Sequence, residues 1–252
     1  MTPAELAFDA MESRLTAAVS ARMVELSQVR AGSRVLDLAS GTGEPALRLA
    51  RVVGPTGRVV GVELDAARAQ LARSRAPSWC ELRTGDVTEP LDEGPFDAAT
   101  SRWGISYVRE LGRVLAWVRG ALVPGAPLVT ALWAEQARVS WAALPRRVTE
   151  RFVTLPSPPS IARFADVEDF THELERAGLR AVHVEELEVC VVEDLDAERL
   201  VEWVEVVLSG LAARVPEAQR GAWREALREE LERVREGDTH RLGGTTRLVV
   251  AR

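Results

Sequence analysis

Three short stretches carry residue types that suit a nucleotide-like ligand. Asp37-Leu38-Ala39-Ser40-Gly41-Thr42-Gly43 sets two glycines between an apolar run and a helical one, Glu63 ends the next apolar run, and Asp86 follows in Thr84-Gly85-Asp86-Val87. Glycine allows the tight turn and the close backbone approach that such a loop requires. A carboxylate at Glu63 can accept from both hydroxyls of a ribose, and one at Asp86 can accept from an adenine amino group. The loop also has the form Gly41-x-Gly43-x-x-Ala46, with Glu63 twenty-two residues beyond Gly41, as in a dinucleotide fingerprint. Two ligands therefore compete, NAD(P) and S-adenosylmethionine, and electrostatics favours the second. A pyrophosphate needs the free positive end of a helix. Here Glu44 brings a negative charge to that first turn and Pro45 removes an N–H donor. S-adenosylmethionine has no phosphate, and its sulfonium and ammonium tolerate an acid.

These residues need strands and helices to hold them. Residues 3–28 read as one helix, with Leu6, Met11, Leu15, Val19, Met23 and Leu26 near one stripe. Short apolar runs at 34–38, 58–62, 79–83, 96–100 and 128–133 read as strands, with helices over 44–53, 65–75 and 109–123 between them. That alternation predicts an α/β, Rossmann-like, doubly wound and mostly parallel sheet, with both faces covered by helices. Helices are expected over 138–152, 166–177, 196–214 and 216–236. A loop is expected at 155–160, a long strand at 181–191 and a last strand at 248–251. Asp65 reads as a cap of the helix it precedes.

The same residues resemble the class I S-adenosylmethionine-dependent methyltransferases, in the bacterial small-molecule branch related to the ubiquinone/menaquinone-biosynthesis methyltransferases. The resemblance rests on residues 35–47, on Gly57-Arg58-Val59-Val60-Gly61-Val62-Glu63-Leu64, on Gly85-Asp86-Val87 and on Phe96 to Gly104. It continues in Arg113-Val114-Leu115, Val123-Pro124-Gly125, residues 164–179 and the ending Gly243 to Arg252. It implies a seven-stranded sheet of six parallel strands and one antiparallel edge strand, with S-adenosyl-L-methionine as cofactor. It implies cofactor contacts at Asp37, Ala39, Ser40, Gly41, Gly43, Glu63, Leu64, Gly85, Asp86, Val87, Ser101 and Arg102. The expected domain is a methyltransferase domain at 31–252 with helical insertions at about 138–164 and 196–236; the helix before it has an apolar stripe that the sheet does not need, so 1–30 is expected to be a lid over the cofactor mouth. Ser101-Arg102-Trp103-Gly104 stands where amino-group methylases of nucleic acids carry Asn/Asp-Pro-Pro-Tyr/Phe, which argues against that substrate class.

Methyl transfer is an in-line displacement, so a general base is needed only when the acceptor must lose a proton. Tyr107, Glu135 and His240 are the candidates for that role. His172 and His183 read as exposed or packing residues. The acceptor is expected to meet parts that the core fold does not need: Phe8 and Met11, Trp103, Trp133, Trp141, and Trp203 with its neighbour Val207. Phe152 and Phe164 join them. This apolar and aromatic lining suits a small, largely apolar metabolite methylated on oxygen or carbon, in secondary metabolism.

Composition narrows the classes further. The chain has 252 residues, a net charge of −6 and a hydrophobic fraction of 46%. That excludes a disordered chain, and 32 basic residues, all arginine, form no basic run of the kind a nucleic-acid binder shows. No apolar stretch approaches the roughly 20 residues of a membrane helix. Met1 to Ala10 lacks the pattern of a signal peptide. Cys80 and Cys190 are too few for a disulfide scaffold and lack metal-ligand spacing, so no metal is expected. The expectation is a cytoplasmic monomer or homodimer whose partner is a small-molecule methyl acceptor, not a membrane or nucleic acid. The alternatives are a module that binds S-adenosylmethionine or S-adenosylhomocysteine without transferring methyl, and an NAD(P)-dependent oxidoreductase.

Overall fold

The computed structural model describes residues 1–156, 163–193, 195–235 and 240–252. A seven-stranded sheet runs in the order β3-β2-β1-β4-β5-β7-β6. The strands are β1 (Arg34–Leu38), β2 (Arg58–Glu63), β3 (Cys80–Thr84), β4 (Ala98–Arg102), β5 (Leu128–Trp133), β6 (Ala181–Glu193) and β7 (Arg241–Ala251). The first five are parallel, and β7 is antiparallel to both β5 and β6. This is the Rossmann-like α/β architecture expected from the alternation of strands and helices.

Alternation of side chains along each strand supplies two apolar faces. Val35, Val59 and Leu82 pack with Leu49, Ala50 and Val53 of α3 (Ala46–Val53) and with Ala72 of α4 (Ala66–Arg75). Leu36, Val60 and Ala99 meet α5 (Leu111–Ala121) and α7 (Val167–Arg176) through Val114, Leu115, Phe170 and Leu174. Beyond β5 the core is built from α6 (Ser140–Thr149), α8 (Ala197–Val207) and α10 (Arg220–Arg233), with Trp203, Trp223, Leu227 and Leu231 fully buried. A four-residue helix, α9 (Ser209–Ala212), follows α8, so the helix expected over 196–214 breaks at Leu208.

Three expectations are corrected. The segment 3–28 is two helices, α1 (Pro3–Leu15) and α2 (Ala17–Ser27), broken at Thr16. The Thr16 hydroxyl donates back to the Glu12 carbonyl at 2.7 Å and accepts from Arg102 at 2.7 Å. A threonine bonded back one turn bends a helix, and here the bend receives a buried guanidinium. The two pieces have different jobs. α2 packs Val19 and Met23 onto the sheet at β4 and β5, so it is a covering helix and not part of a lid.

The last strand starts at Arg241, seven residues before the expected start, and lies inside the sheet, leaving β6 at the edge. Gly243 allows this: a Cβ there would stand 2.0 Å from the Val189 carbonyl oxygen, beside the register shift between Cys190 and Val192. Finally, β4 lies two residues later than expected. The chain then turns through a 3-10 segment at Gly104–Tyr107 before α5 begins at Leu111. The loop expected at 155–160 falls mainly outside the described residues.

Candidate functional site

Strand order reverses between β1 and β4, and a crevice at the carboxyl ends of the strands is the consequence. A cavity of about 890 Å³ occupies it. The two loops that form its floor touch: a Cβ on Gly104 would lie 2.3 Å from the Cβ of Ala39, so only glycine permits that approach. Ala39 and Trp103 both have left-handed backbone, with φ of 55° and 61°. For a tryptophan this costs on the order of 1–3 kcal/mol. Three contacts offset that cost. The Trp103 indole N–H donates to Thr246 Oγ1 at 2.8 Å, its backbone N–H donates to the Ala131 carbonyl at 2.9 Å, and its ring stacks on Trp133 at 4.5 Å. Trp141 meets Trp133 edge-on at 5.4 Å, completing an aromatic wall.

The opposite end of the cavity is polar. Glu63 ends β2 only 8% exposed, and its two oxygens accept from the backbone N–H groups of Gly41 at 2.8 Å and Asp65 at 3.0 Å. Each oxygen keeps a second lone pair. Asp65 in turn caps α4 through Ala67 and Arg68. Asp86 accepts from the Thr88 N–H at 2.9 Å, which holds its carboxyl below the usual aspartate range. Glu44 stands just ahead of α3 and pairs with Arg48 at 3.4 Å.

Of the residues read as cofactor contacts, Ala39, Ser40, Gly41, Glu63, Leu64, Gly85, Asp86, Val87 and Arg102 line the cavity. Asp37, Gly43 and Ser101 do not. Asp37 is wholly buried in the sheet, where it accepts from the Thr100 hydroxyl at 2.5 Å, and burial raises its carboxyl to about 7. A Cβ on Gly43 would meet Leu47 at 2.7 Å, so that glycine serves the packing of α3. The Ser101 hydroxyl donates to the Leu38 carbonyl and accepts from the Ile105 N–H, fixing the turn after β4.

Of the residues read as acceptor contacts, Trp103, Trp133, Trp141 and Val207 line the cavity. Phe8, Met11 and Phe152 turn to the core that also buries Trp203, and Phe164 packs against Phe170 on the other side of the sheet. Tyr107 lines the mouth and is 52% exposed. Glu135 lies outside the cavity, paired with Arg247 at 2.8 Å. His240 also lies outside it, buried with its ring against the Leu195 carbonyl. His172 and His183 are exposed, as expected.

The sequence reading missed what α1 contributes. Asp9, Glu12 and Ser13 line the cavity, and Asp9 accepts from the Thr42 hydroxyl at 2.6 Å while pairing with Arg75 at 3.3 Å. The signal was available, because residues at i, i+3 and i+4 share a helix face. It was masked by the apolar stripe drawn through 3–28 as though it were one helix.

A family model described as a methyltransferase domain matches residues 35–125. That stretch carries β1 to β4 and the loops after them.

Curated methyltransferases are similar to the chain over a stretch of comparable length. The 2-phytyl-1,4-naphtoquinone methyltransferase of Trichormus variabilis is 37% identical over 111 residues, which is 41% of this chain and 48% of that protein. The ubiquinone/menaquinone biosynthesis C-methyltransferase UbiE of Pseudomonas putida is 34% identical over 112 residues, 42% of this chain and 44% of that protein. The chain thus spans about half the length of the curated relatives it matches. A solved S-adenosylmethionine-dependent methyltransferase from Mesorhizobium loti superposes with a TM-score of 0.54 at 19% identity, covering 96% of this chain and 99% of that one. At that identity the likeness concerns the fold.

The resemblance to the S-adenosylmethionine-dependent methyltransferases therefore holds for this domain, and the donor set fits that cofactor. Glu63 offers lone pairs at the end of β2, Ser40 Oγ is buried without a partner, and a Cβ on Gly41 would meet nothing within 4 Å. A dinucleotide fits poorly, because Glu44 sits at the helix end that a pyrophosphate would need. Among the described residues no helix is long and apolar enough to cross a membrane, and no group of three or more His, Cys, Asp and Glu side chains could hold a metal ion.

Proposed function

We propose that the protein transfers a methyl group from S-adenosylmethionine to a small, flat, largely apolar ring. One observation carries the reading: a single cavity joins the Gly41, Glu63 and Asp86 loops to the wall of Trp103, Trp133 and Trp141. When bound, S-adenosylmethionine supplies a methyl carbon already activated by its sulfonium. The chain's own work is then to bind, orient and exclude water.

Glu63 would take the ribose hydroxyls on its free lone pairs while Gly41 and Asp65 hold the carboxylate in place. Asp86 would accept from the adenine amino group. The tryptophan wall, with Val207 and Leu208, would give the acceptor its apolar contact. The names of the relatives speak of a naphthoquinone and of ubiquinone and menaquinone, and a flat ring is what those names have in common. The test is incubation with S-adenosylmethionine labelled in its methyl group and a panel of hydroxylated bicyclic aromatics. Label in the organic phase supports the reading. Binding of S-adenosylhomocysteine without transfer to any ring would leave a binding module.

A further inference from the structure

Four carboxylates other than Glu63 and Asp86 line the cavity. Three of them are engaged: Asp9 by Thr42 and Arg75, Glu44 by Arg48, and Glu110 by Arg113. The fourth, Glu12, is half-buried and has no side-chain hydrogen bond or ion pair among the described residues. A carboxylate half withdrawn from water without a partner is costly. The nearby Arg102 guanidinium attracts it through space but makes no direct ion pair with it. Arg102 spends Nη1 on the hydroxyls of Thr16 at 2.7 Å and Ser20 at 3.3 Å, and lays its guanidinium 4.8 Å from the centre of the Trp103 ring. Through Thr16, whose hydroxyl donates to the Glu12 carbonyl, the same arginine ties this turn of α1 to the tryptophan wall.

We propose that Glu12 is the polar anchor of the methyl acceptor, taking a hydrogen bond from a hydroxyl on a neutral flat ring held along the exposed edges of the tryptophan cluster. The inference rests on the acceptor reading given above and names the chemistry of that ligand. An anionic substituent placed at Glu12 would face a carboxylate, whereas Arg68, Arg109 and Arg113 line other parts of the cavity. A cationic ring is disfavoured by Arg102, which already occupies the face of Trp103. A neutral ring without a donor leaves Glu12 unpaired in a space from which the ring has expelled water. A hydroxyl satisfies both groups: it donates to Glu12, and its ring buries apolar area on the indoles.

The experiment is calorimetry on the full chain saturated with S-adenosylhomocysteine, titrated near neutral pH with naphthol, methoxynaphthalene and naphthoate. Naphthol is expected to bind about tenfold more tightly than methoxynaphthalene, the value of one hydrogen bond to a charged group. Naphthoate is expected to bind most weakly. Glu12→Ala should erase the preference for naphthol over the ether and leave S-adenosylhomocysteine affinity unchanged. Glu12→Gln, which keeps the side-chain shape and adds an N–H donor, should bring naphthoate up to or above the ether. An unaltered order in both variants overturns the proposal, as does equal binding of naphthol and its ether to the native chain. If no naphthalene binds although S-adenosylhomocysteine does, the tryptophan wall is not an acceptor site and both readings of that end fall. If S-adenosylhomocysteine itself fails to bind, the cofactor reading falls separately.

Discussion

The two ends of the cavity are made of different material. The cofactor end is local: the loops after β1, β2 and β3 each carry their own polar group, and each loop is set by the strand before it. The acceptor end is assembled from afar. Trp103 follows β4, Trp133 ends β5, Trp141 opens α6, and the proposed anchor Glu12 comes from a helix that precedes the sheet in sequence. One end is therefore a property of a strand-loop-helix pattern, and the other is a property of the packed whole. Damage to packing should reach the acceptor end first, and damage to one loop side chain should stay at the cofactor end.

The largest effect is expected from cutting the N-terminal segment in two places. Removing residues 2–15 takes away α1 and should leave a folded chain that still binds S-adenosylhomocysteine but has lost its acceptor preference. Removing residues 2–27 also takes away α2, which buries Val19 and Met23 on the sheet. That loss should cost about 5 kcal/mol or more and prevent cooperative folding. Circular dichroism melts of the two truncations check this; equal melts would erase the distinction between the helices.

Next in size is a pH effect beneath the cofactor end. Burial raises Asp37 from its ordinary value to about 7, so the folded state holds a proton there that the unfolded state releases. The sign follows: this contribution to stability is full below the unfolded value, about pH 4, and is lost as pH rises through about 7. Asp37→Asn has no such proton, so its stability relative to the native chain should rise across that range by on the order of 3 kcal/mol. Urea titrations at several pH values test it. A difference that does not change with pH would mean that the carboxyl is not raised in the folded protein.

Glu63→Ala should follow, weakening S-adenosylhomocysteine by about 2 kcal/mol, or roughly thirtyfold in Kd, through loss of charge-assisted hydrogen bonds. Naphthol binding should change far less, because Glu63 lies at the other end. Calorimetry with both ligands reads the two ends independently. Parallel losses would show that the cavity is one cooperative unit. The smallest effect is expected from Glu135→Ala, which removes a half-exposed pair with Arg247 and lies outside the cavity. Stability should fall by less than about 1 kcal/mol, with neither ligand affected.

The same contrast explains what could be read from sequence. Glycines between an apolar run and a helix, and carboxylates at strand ends, are local patterns, so Gly41, Glu63 and Asp86 were legible and do border the cavity. Asp37 and Ser101 follow the same pattern, but alternation along a strand turns Asp37 into the sheet, and the turn after β4 consumes Ser101. Trp103 and Trp133 were legible as positions at strand ends and Trp141 as part of the segment after β5, but the stacking of Trp103 on Trp133 was not, since it depends on a left-handed residue at 103. Phe8, Met11 and Trp203 were misplaced because an apolar side chain on a helix looks alike whether it faces a core or a cavity. The early start of β7 was hidden because Gly243 and Gly244 carry no apolar alternation, and only the packed sheet shows them to be points of close strand approach.

The central claim is that the cofactor end takes S-adenosylmethionine and refuses a dinucleotide. Side-by-side calorimetry of the native chain with S-adenosylhomocysteine and with NADH tests it most directly. The account predicts saturable one-to-one binding of S-adenosylhomocysteine and no binding of NADH, because Glu44 and Pro45 deny the pyrophosphate its helix end. Binding of NADH, or no binding of S-adenosylhomocysteine by the folded chain, would contradict it.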